Sequence, residues 1–427
     1  MTESLLERSA RFIDGAVYEG PASVNPVDMS FHEIADGVGL VCGFSHIWTL
    51  DAAEGLVVVD TSQPNFASAA LEHLRHWRDV PVDTIVYTHG HLDHVSGAPV
   101  FLDDAVERRR PPPQVVAHDA VGRRLDRYGL TLGYNELIGV RQFGWRYVPG
   151  SFDADWVRPQ VTYSDGLELE VGGTRMQLIH EKGETDDHTI AWVPQQGVLF
   201  TGDLIIWAFP NAGNPQKAQR YPAEWAAALR RMIDLRPSLL APAHGLPIAG
   251  TERIARVLDD TATALEGLVA DTLAMMNAGA PLDEILHTVR VPTDLLERPY
   301  LRPSYDEPEF VVRNIWRLYG GWYDANPARL KPPPDAAVAA EVAAMAGGAA
   351  ALARRAAELC EGGELRLACQ LVEWAVQAAP ADEEVHAARA EVYRIRRDSE
   401  LSMMARNIFR HTFHSSKARV QPEQAPD

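Results

Sequence analysis

Residues 88–94 read Thr88-His89-Gly90-His91-Leu92-Asp93-His94, which places three imidazoles and a carboxylate within six positions. The apolar run Thr84-Ile85-Val86-Tyr87 comes directly before them, and a β-branched and aromatic run of that length reads as a buried strand. The cluster therefore sits where a strand ends. Neutral imidazole and carboxylate suit zinc, with iron and manganese as the usual competitors. Four such groups are too many for one catalytic ion that must also keep a position open for water. Two ions sharing His89, His91, Asp93 and His94 fit the spacing better.

The surrounding pattern indicates how this loop is held. Residues 31–60 alternate short apolar runs with Gly37, Gly39, Gly43 and Asp51, a β-meander ending at Asp60. Ala67, Ala70, Leu71, Leu74 and Trp77 fall on one helical face and predict a helix over 66–77. Three prolines at 111–113 break regular structure before a short strand at 115–117. Residues 122–150 show no period and read as a long loop near the site. A hairpin over 167–181 turns at Gly172-Gly173, and a further strand pair covers 191–203. Strand runs punctuated by helices suit two packed sheets with helices outside. Beyond Gly250 the pattern is helical, beginning with a helix over 252–277. Lys331-Pro332-Pro333-Pro334 forms a stiff linker. Helices at about 349–361, 365–379 and 383–396 then alternate with Gly362-Gly363 and Pro380, in a pattern resembling tetratricopeptide-like repeats.

At 427 residues the chain fits two domains, and 46% hydrophobic with 23% charged residues is ordinary for a globular protein. A formal net charge of −19 argues against nucleic acid and anionic membrane surfaces as partners. Cys42, Cys360 and Cys369 have no framework spacing, so neither disulfides nor a thiolate metal site is expected. The acidic start Met1-Thr2-Glu3-Ser4 is unlike a signal peptide, and no stretch has the apolar length of a membrane span. A cytoplasmic location is the expectation.

The heptapeptide resembles the His-x-His-x-Asp-His signature of the metallo-β-lactamase superfamily, and further residues match in order. Asp60 closes Gly55-Leu56-Val57-Val58-Val59-Asp60, Thr201-Gly202-Asp203 resembles the bridging-carboxylate motif, and Pro242-Ala243-His244-Gly245 resembles the last histidine ligand. Nineteen residues before Asp203, where most superfamily hydrolases have a histidine, stands Glu184. That glutamate is similar to the alkylsulfatase branch. Tyr319-Gly320-Gly321-Trp322-Tyr323-Asp324-Ala325-Asn326-Pro327 likewise resembles the segment that opens the branch's dimerisation domain.

The resemblance implies an αββα sandwich followed by an all-α, tetratricopeptide-like dimerisation domain. The expected division is an N-terminal arm at 1–30, a catalytic domain at 31–250, a helical connection at 251–330, a dimerisation domain at 331–410 and a disordered tail at 411–427. It also implies a ligand set. His89, His91 and Glu184 would hold one ion, and Asp93, His94 and His244 the other, with Asp203 bridging. His188, four residues beyond Glu184, is the rival ligand.

The activity implied by this ligand set is that of a dinuclear hydrolase acting on a sulfate ester or related small organic ester. It would use two Zn2+ ions, with Mn2+ or Fe2+ as competitors, and a metal-bridging hydroxide, with Asp93 and Asp203 as its catalytic carboxylates. No Gly-x-Ser-x-Gly elbow is present to supply a side-chain nucleophile. Substrate recognition falls to Asn211, Gln216, Lys217 and Arg220, although Lys217 and Arg220 read equally well as solvated surface charge. The branch's sulfate-binding Arg position is Gln216 or Lys217 here, and Asp203 replaces its Glu. A lactonase or phosphoester hydrolase, and an iron-dependent oxidoreductase on the same fold, are the alternatives. The expected partners are a small anionic or ester substrate and a second copy of the chain.

Overall fold

The computed structural model describes residues 3–15, 17–144, 147–150 and 156–421. Two sheets are present. The first has seven strands in sequence order: β1 Phe31–Ala35, β2 Val38–Val41, β3 Ile47–Asp51, β4 Leu56–Val59, β5 Val82–Val86, β6 Gln114–His118 and β7 Val161–Tyr163. The second has six: β8 Gly166–Val171, β9 Thr174–Glu181, β10 His188–Val193, β11 Val198–Gly202, β12 Leu239–Pro242 and β13 Ile248–Ala249, in the order β13-β12-β11-β10-β9-β8. β1 to β4 run antiparallel as the expected meander, whereas β4-β5-β6-β7 are parallel. In the second sheet β11 and β12 are parallel and the other pairs antiparallel.

Burial explains the composition of these strands. All of β4 is buried, as are Ile85, Val86, Val115 and Val116 of its parallel neighbours, which is why these strands read as unbroken apolar runs. β8, at a sheet edge, alternates exposed and half-buried residues instead. The sheets meet where Trp48 on β3 packs edge-on against Phe200 on β11 and its indole donates to the Pro242 carbonyl. Helix Pro64–Trp77 starts with a proline, whose fixed φ suits a first helical turn, and lays Phe66, Ala67, Ala70 and Leu74 into the first sheet's core. Helices Pro222–Leu235 and Thr251–Asn277 cover the second sheet. The result is the expected αββα sandwich, all within one compact unit made of residues 1–132, 153–280 and 284–319.

The second compact unit takes residues 133–152, 281–283 and 320 onward. Helices Asp335–Ala346, Ala349–Glu361, Leu365–Ala378, Glu383–Asp398 and Met403–Val420 follow one another there, with Ala356, Ala368, Val372, Val392 and Tyr393 at one core. Asp382 caps its helix by accepting from the Glu384 and Val385 amides, and Gly347 in the left-handed region ends the first helix of the series.

Two expectations need correction. Residues 122–150 are not a loop: helices Ala120–Leu130 and Leu132–Phe143 occupy most of them. The pattern was obscured because Arg124, Asn135, Glu136 and Gln142 are buried at positions a simple amphipathic helix fills with apolar groups. Residues 411–420 are not a tail, since helix Met403–Val420 runs through them with Phe409 and Phe413 packed on the unit's core. The expected disorder beyond 421 lies outside the described residues.

Candidate metal centre

Every candidate ligand follows the C-terminal end of a strand. His89 to His94 follow β5, Glu184 follows β9, Asp203 follows β11 and His244 follows β12. Two groups of ligand atoms result, each gathered within 4.8 Å: His89, His91, Glu184 and Asp203, and Asp93, His94 and His244. Between the groups, Asp203 Oδ1 lies 3.3 Å from His94 Nε2 and 3.5 Å from His244 Nε2, while its Oδ2 lies 3.8 Å from His89 Nε2. Asp203 thus faces both sets. Gly202 delivers it there with φ of 51°; a Cβ at that position would stand 2.7 Å from His188 Nε2 and 2.8 Å from Thr88.

Asp60 sets the tautomers. It sits in the left-handed region at φ 59° and accepts from the Thr88 amide at 2.8 Å and the Thr88 hydroxyl at 2.7 Å. His94 Nδ1 donates to the same carboxylate at 2.7 Å, which turns Nε2 toward the site. Because the Thr88 proton goes to Asp60, His89 Nδ1 must donate to the Thr88 oxygen, 3.1 Å away, and its Nε2 turns into the site. His91, at the entry to the short helix Leu92–Val95, brings Nδ1 to 2.8 Å from that Nε2 and 3.8 Å from Glu184 Oε2.

Glu184 is held on one side only. Its Oε1 accepts from Asn211 Nδ2 and from Arg220, whose NH1 lies 2.8 Å away and also 2.6 Å from the Glu184 carbonyl. Oε2 has no partner. His94 Nε2 and Asp203 Oδ1 are likewise buried without a hydrogen bond, though they face each other at 3.3 Å. Buried polar atoms are rarely left without a hydrogen bond, so Glu184 Oε2 and the facing Asp203 and His94 atoms fit a cation between them.

The electrostatics agree. Burial, aided by the neighbouring His94, pushes His89 well below the usual histidine range, and burial with Arg220 and Arg124 does the same to His91. Both are therefore neutral, as a ligand must be. Burial opposes charge on His94 and His244 too, but Asp203 and Asp93 outweigh it and raise both. Burial, only partly offset by Arg220, pushes the Glu184 carboxyl up to about 8. A divalent cation facing Oε2 would relieve that cost.

The remaining candidates divide. His188 stacks behind His89 with centroids 4.8 Å apart and its Nε2 donates to the Thr201 carbonyl at 3.0 Å, outside both ligand groups. Arg220 is only 3% exposed, so a solvated surface role is excluded for it. Lys217 is half-buried and its ammonium has no hydrogen bond or ion pair among the described residues. Gln216 Nε2, Asn214 Nδ2 and Arg220 Nε are buried donors without partners. Trp207 and Phe209 are core, and the Trp207 indole donates to the Leu246 carbonyl behind the His244 turn.

Sequence reasoning missed Arg124 and Asp187. Arg124 Nε donates to Asp187 Oδ2 at 2.9 Å, and the same oxygen accepts from the Gly90 amide at 3.0 Å, which fixes the backbone between His89 and His91. The run Asp186-Asp187 beside Glu184 was the only available signal.

The chain is similar in sequence and fold to known proteins. A metallo-beta-lactamase superfamily model matches residues 40–244, and an alkyl sulfatase dimerisation model matches 281–418. A linear primary-alkylsulfatase of Pseudomonas sp. (strain ATCC 19151) is 25% identical over 367 residues, covering 81% of this chain and 69% of the relative. An (R)-specific secondary-alkylsulfatase of Pseudomonas sp. is 28% identical over 373 residues, covering 80% of this chain but 55% of the relative. The chain thus spans between about half and about two thirds of the length of these relatives. In fold, a stereoselective inverting sec-alkylsulfatase from Pseudomonas sp. superposes with a TM-score of 0.81 at 24% identity, over 93% of this chain and 67% of the other.

Proposed function

We propose that this chain, whose residues 40–244 match a metallo-beta-lactamase superfamily model and 281–418 an alkyl sulfatase dimerisation model, is a dinuclear, zinc-dependent hydrolase of organic sulfate esters. The observation that carries the proposal is the pair of ligand groups joined by Asp203 next to the donor-rich segment 211–220. His89, His91, Glu184 and Asp203 would hold one ion and Asp93, His94, His244 and Asp203 the other. When bound, the two ions supply the Lewis acid that makes hydroxide available from water near neutral pH.

The chain's own residues do the rest. Asp60 and Thr88 keep His94 and His89 in the tautomers that turn Nε2 inward. Asn211 and Arg220 occupy one oxygen of Glu184 and leave the other for the site. Lys217, with the unpartnered donors of Asn214 and Gln216, supplies the charge and hydrogen bonds that a sulfate group requires. No side-chain nucleophile is needed. The support for sulfate comes from this donor set and from the alkylsulfatase relatives.

Hydrolysis of four ester classes by zinc-loaded protein tests the reading: alkyl sulfates, lactones, carboxylic esters and phosphoesters. Release of inorganic sulfate should exceed turnover of the other three. Preferential turnover of any of those overturns the substrate assignment. A cytoplasmic location belongs to the same proposal, supported by three free cysteines.

The proposal includes a homodimer. Tyr319, Trp322, Tyr323 and Leu330 are exposed large side chains near the start of the helical unit, and the matched region is a dimerisation model. Light scattering at micromolar concentration should give twice the 47.1 kDa chain mass. A monomer mass contradicts it.

A further inference from the structure

Segment 211–220 carries both side chains that grip Glu184, yet it contains no strand or helix of its own. Its shape is fixed from outside, by residues 306–317. The Asp306 carboxylate, fully buried, accepts from the Gly213 amide at 2.7 Å through Oδ2 and from the Glu307 amide at 2.7 Å through Oδ1. Asn314, on helix Pro308–Gly320, donates from Nδ2 to the Ala212 carbonyl and to the Arg220 carbonyl, each at 2.9 Å. One amide group therefore ties together both ends of the segment. Gln219 returns a bond to Asn314 Oδ1 at 3.0 Å, and Arg317 Nε donates to Gln219 Oε1 at 2.9 Å. The approach is as close as backbone allows, since a Cβ on Gly213 would stand 2.2 Å from the Phe310 carbonyl carbon.

We propose that Asp306 and Asn314 are positioning residues for the metal centre: they hold Asn211 and Arg220 against one oxygen of Glu184 and so aim the other oxygen at its ion. The inference rests on Glu184 being a ligand. Neither residue touches a ligand itself. Each acts through the segment, Asn314 by fixing the carbonyls that flank Asn211 and Arg220, and Asp306 by fixing the amide two residues after Asn211. Partners one step removed from the ligands commonly tune metal affinity ten- to a hundred-fold. Residues 306–317 also lie inside the matched dimerisation region 281–418, so part of this region reaches the segment beside the centre through these hydrogen bonds.

Zinc affinity is the direct readout, measured on metal-stripped full-length protein by competition with a chromophoric chelator. Glu184→Ala identifies which of two binding steps depends on Glu184. Asn314→Ala and Asp306→Asn should weaken that step about ten-fold or more and leave the other within about two-fold. Ile315→Val, a packing change on the same helix, should leave both steps unchanged. The visible spectrum of cobalt-loaded Asn314→Ala should also differ from that of the parent protein. If Asn314→Ala does not fold, Gln219→Ala, which removes the donor to Asn314 Oδ1, is expected to weaken the same step. Parent-like binding of both ions by the Asp306 and Asn314 variants, while Glu184→Ala loses one, overturns the inference alone. Retention of both ions by Glu184→Ala overturns the ligand reading beneath it.

Discussion

Arg220 grips Glu184 at two points, its NH1 lying 2.6 Å from the backbone carbonyl and 2.8 Å from Oε1, with both side chains 3% exposed. A buried ion pair contributes little relative to an apolar pair of the same shape, but removing one partner is costly because the other charge is left without compensation. In metal-free protein above about pH 8, where the Glu184 carboxylate is ionised, Arg220→Ala should lower unfolding free energy by about 3–5 kcal/mol. Urea denaturation measures it, and a loss under about 1 kcal/mol would show that the pair does not hold the site.

Lys217 should govern affinity for an anionic substrate. Burial, reinforced by Arg220 and opposed by Glu184 and Asp93, lowers its ammonium to about 8. The group is charged below that pH and neutral above it, so KM for a sulfate ester should rise as pH increases through about 8. Lys217→Ala should raise KM by roughly ten- to a hundred-fold at pH 7, the scale of one hydrogen bond to a charged group, and abolish that pH dependence. An unchanged KM would place the sulfate elsewhere.

Asp306 makes stability depend on pH. Burial pushes its carboxyl up to about 7, against the pull of the Glu307 and Gly213 amides and of Arg220. A folded-state value above the ordinary 3.8 means that the folded protein binds the proton more tightly than the unfolded chain. The contribution is present in full below about pH 4 and is lost as pH rises through about 7. The stability of the wild type relative to Asp306→Asn should therefore fall by about 3 kcal/mol between pH 5 and pH 8. A flat difference across that range would contradict the assignment.

These residues also mark where sequence reasoning stopped. The ligands of the 89–94 loop were legible because ligand chemistry confines them to a short local spacing after an apolar strand. Asp203 and His244 were legible as residues directly following other apolar strands, through motif resemblance. The two sheets followed from period and turns, since unbroken runs such as Leu56-Val57-Val58-Val59 have few other uses. Arg220 was not legible as an internal residue, because an arginine in a polar, proline-punctuated segment looks the same whether its partner is water or Glu184, 36 positions away. Asp306 and Asn314 were hidden for the same reason: their partners are backbone groups about a hundred residues distant. Helix Ala120–Leu130 was missed because its inward face carries Arg124, whose burial makes sense only once Asp187 is beside it.

The central claim is that two ions held by these seven residues release sulfate from an ester. Sulfate release by metal-stripped protein, followed as zinc is added in known equivalents, tests it most directly. The rate should be negligible without metal, stay low at one equivalent, and reach its plateau at two equivalents per chain. Glu184→Ala should never reach that plateau. Full sulfate release by stripped protein or at one equivalent, or no release with two ions bound, would contradict the account.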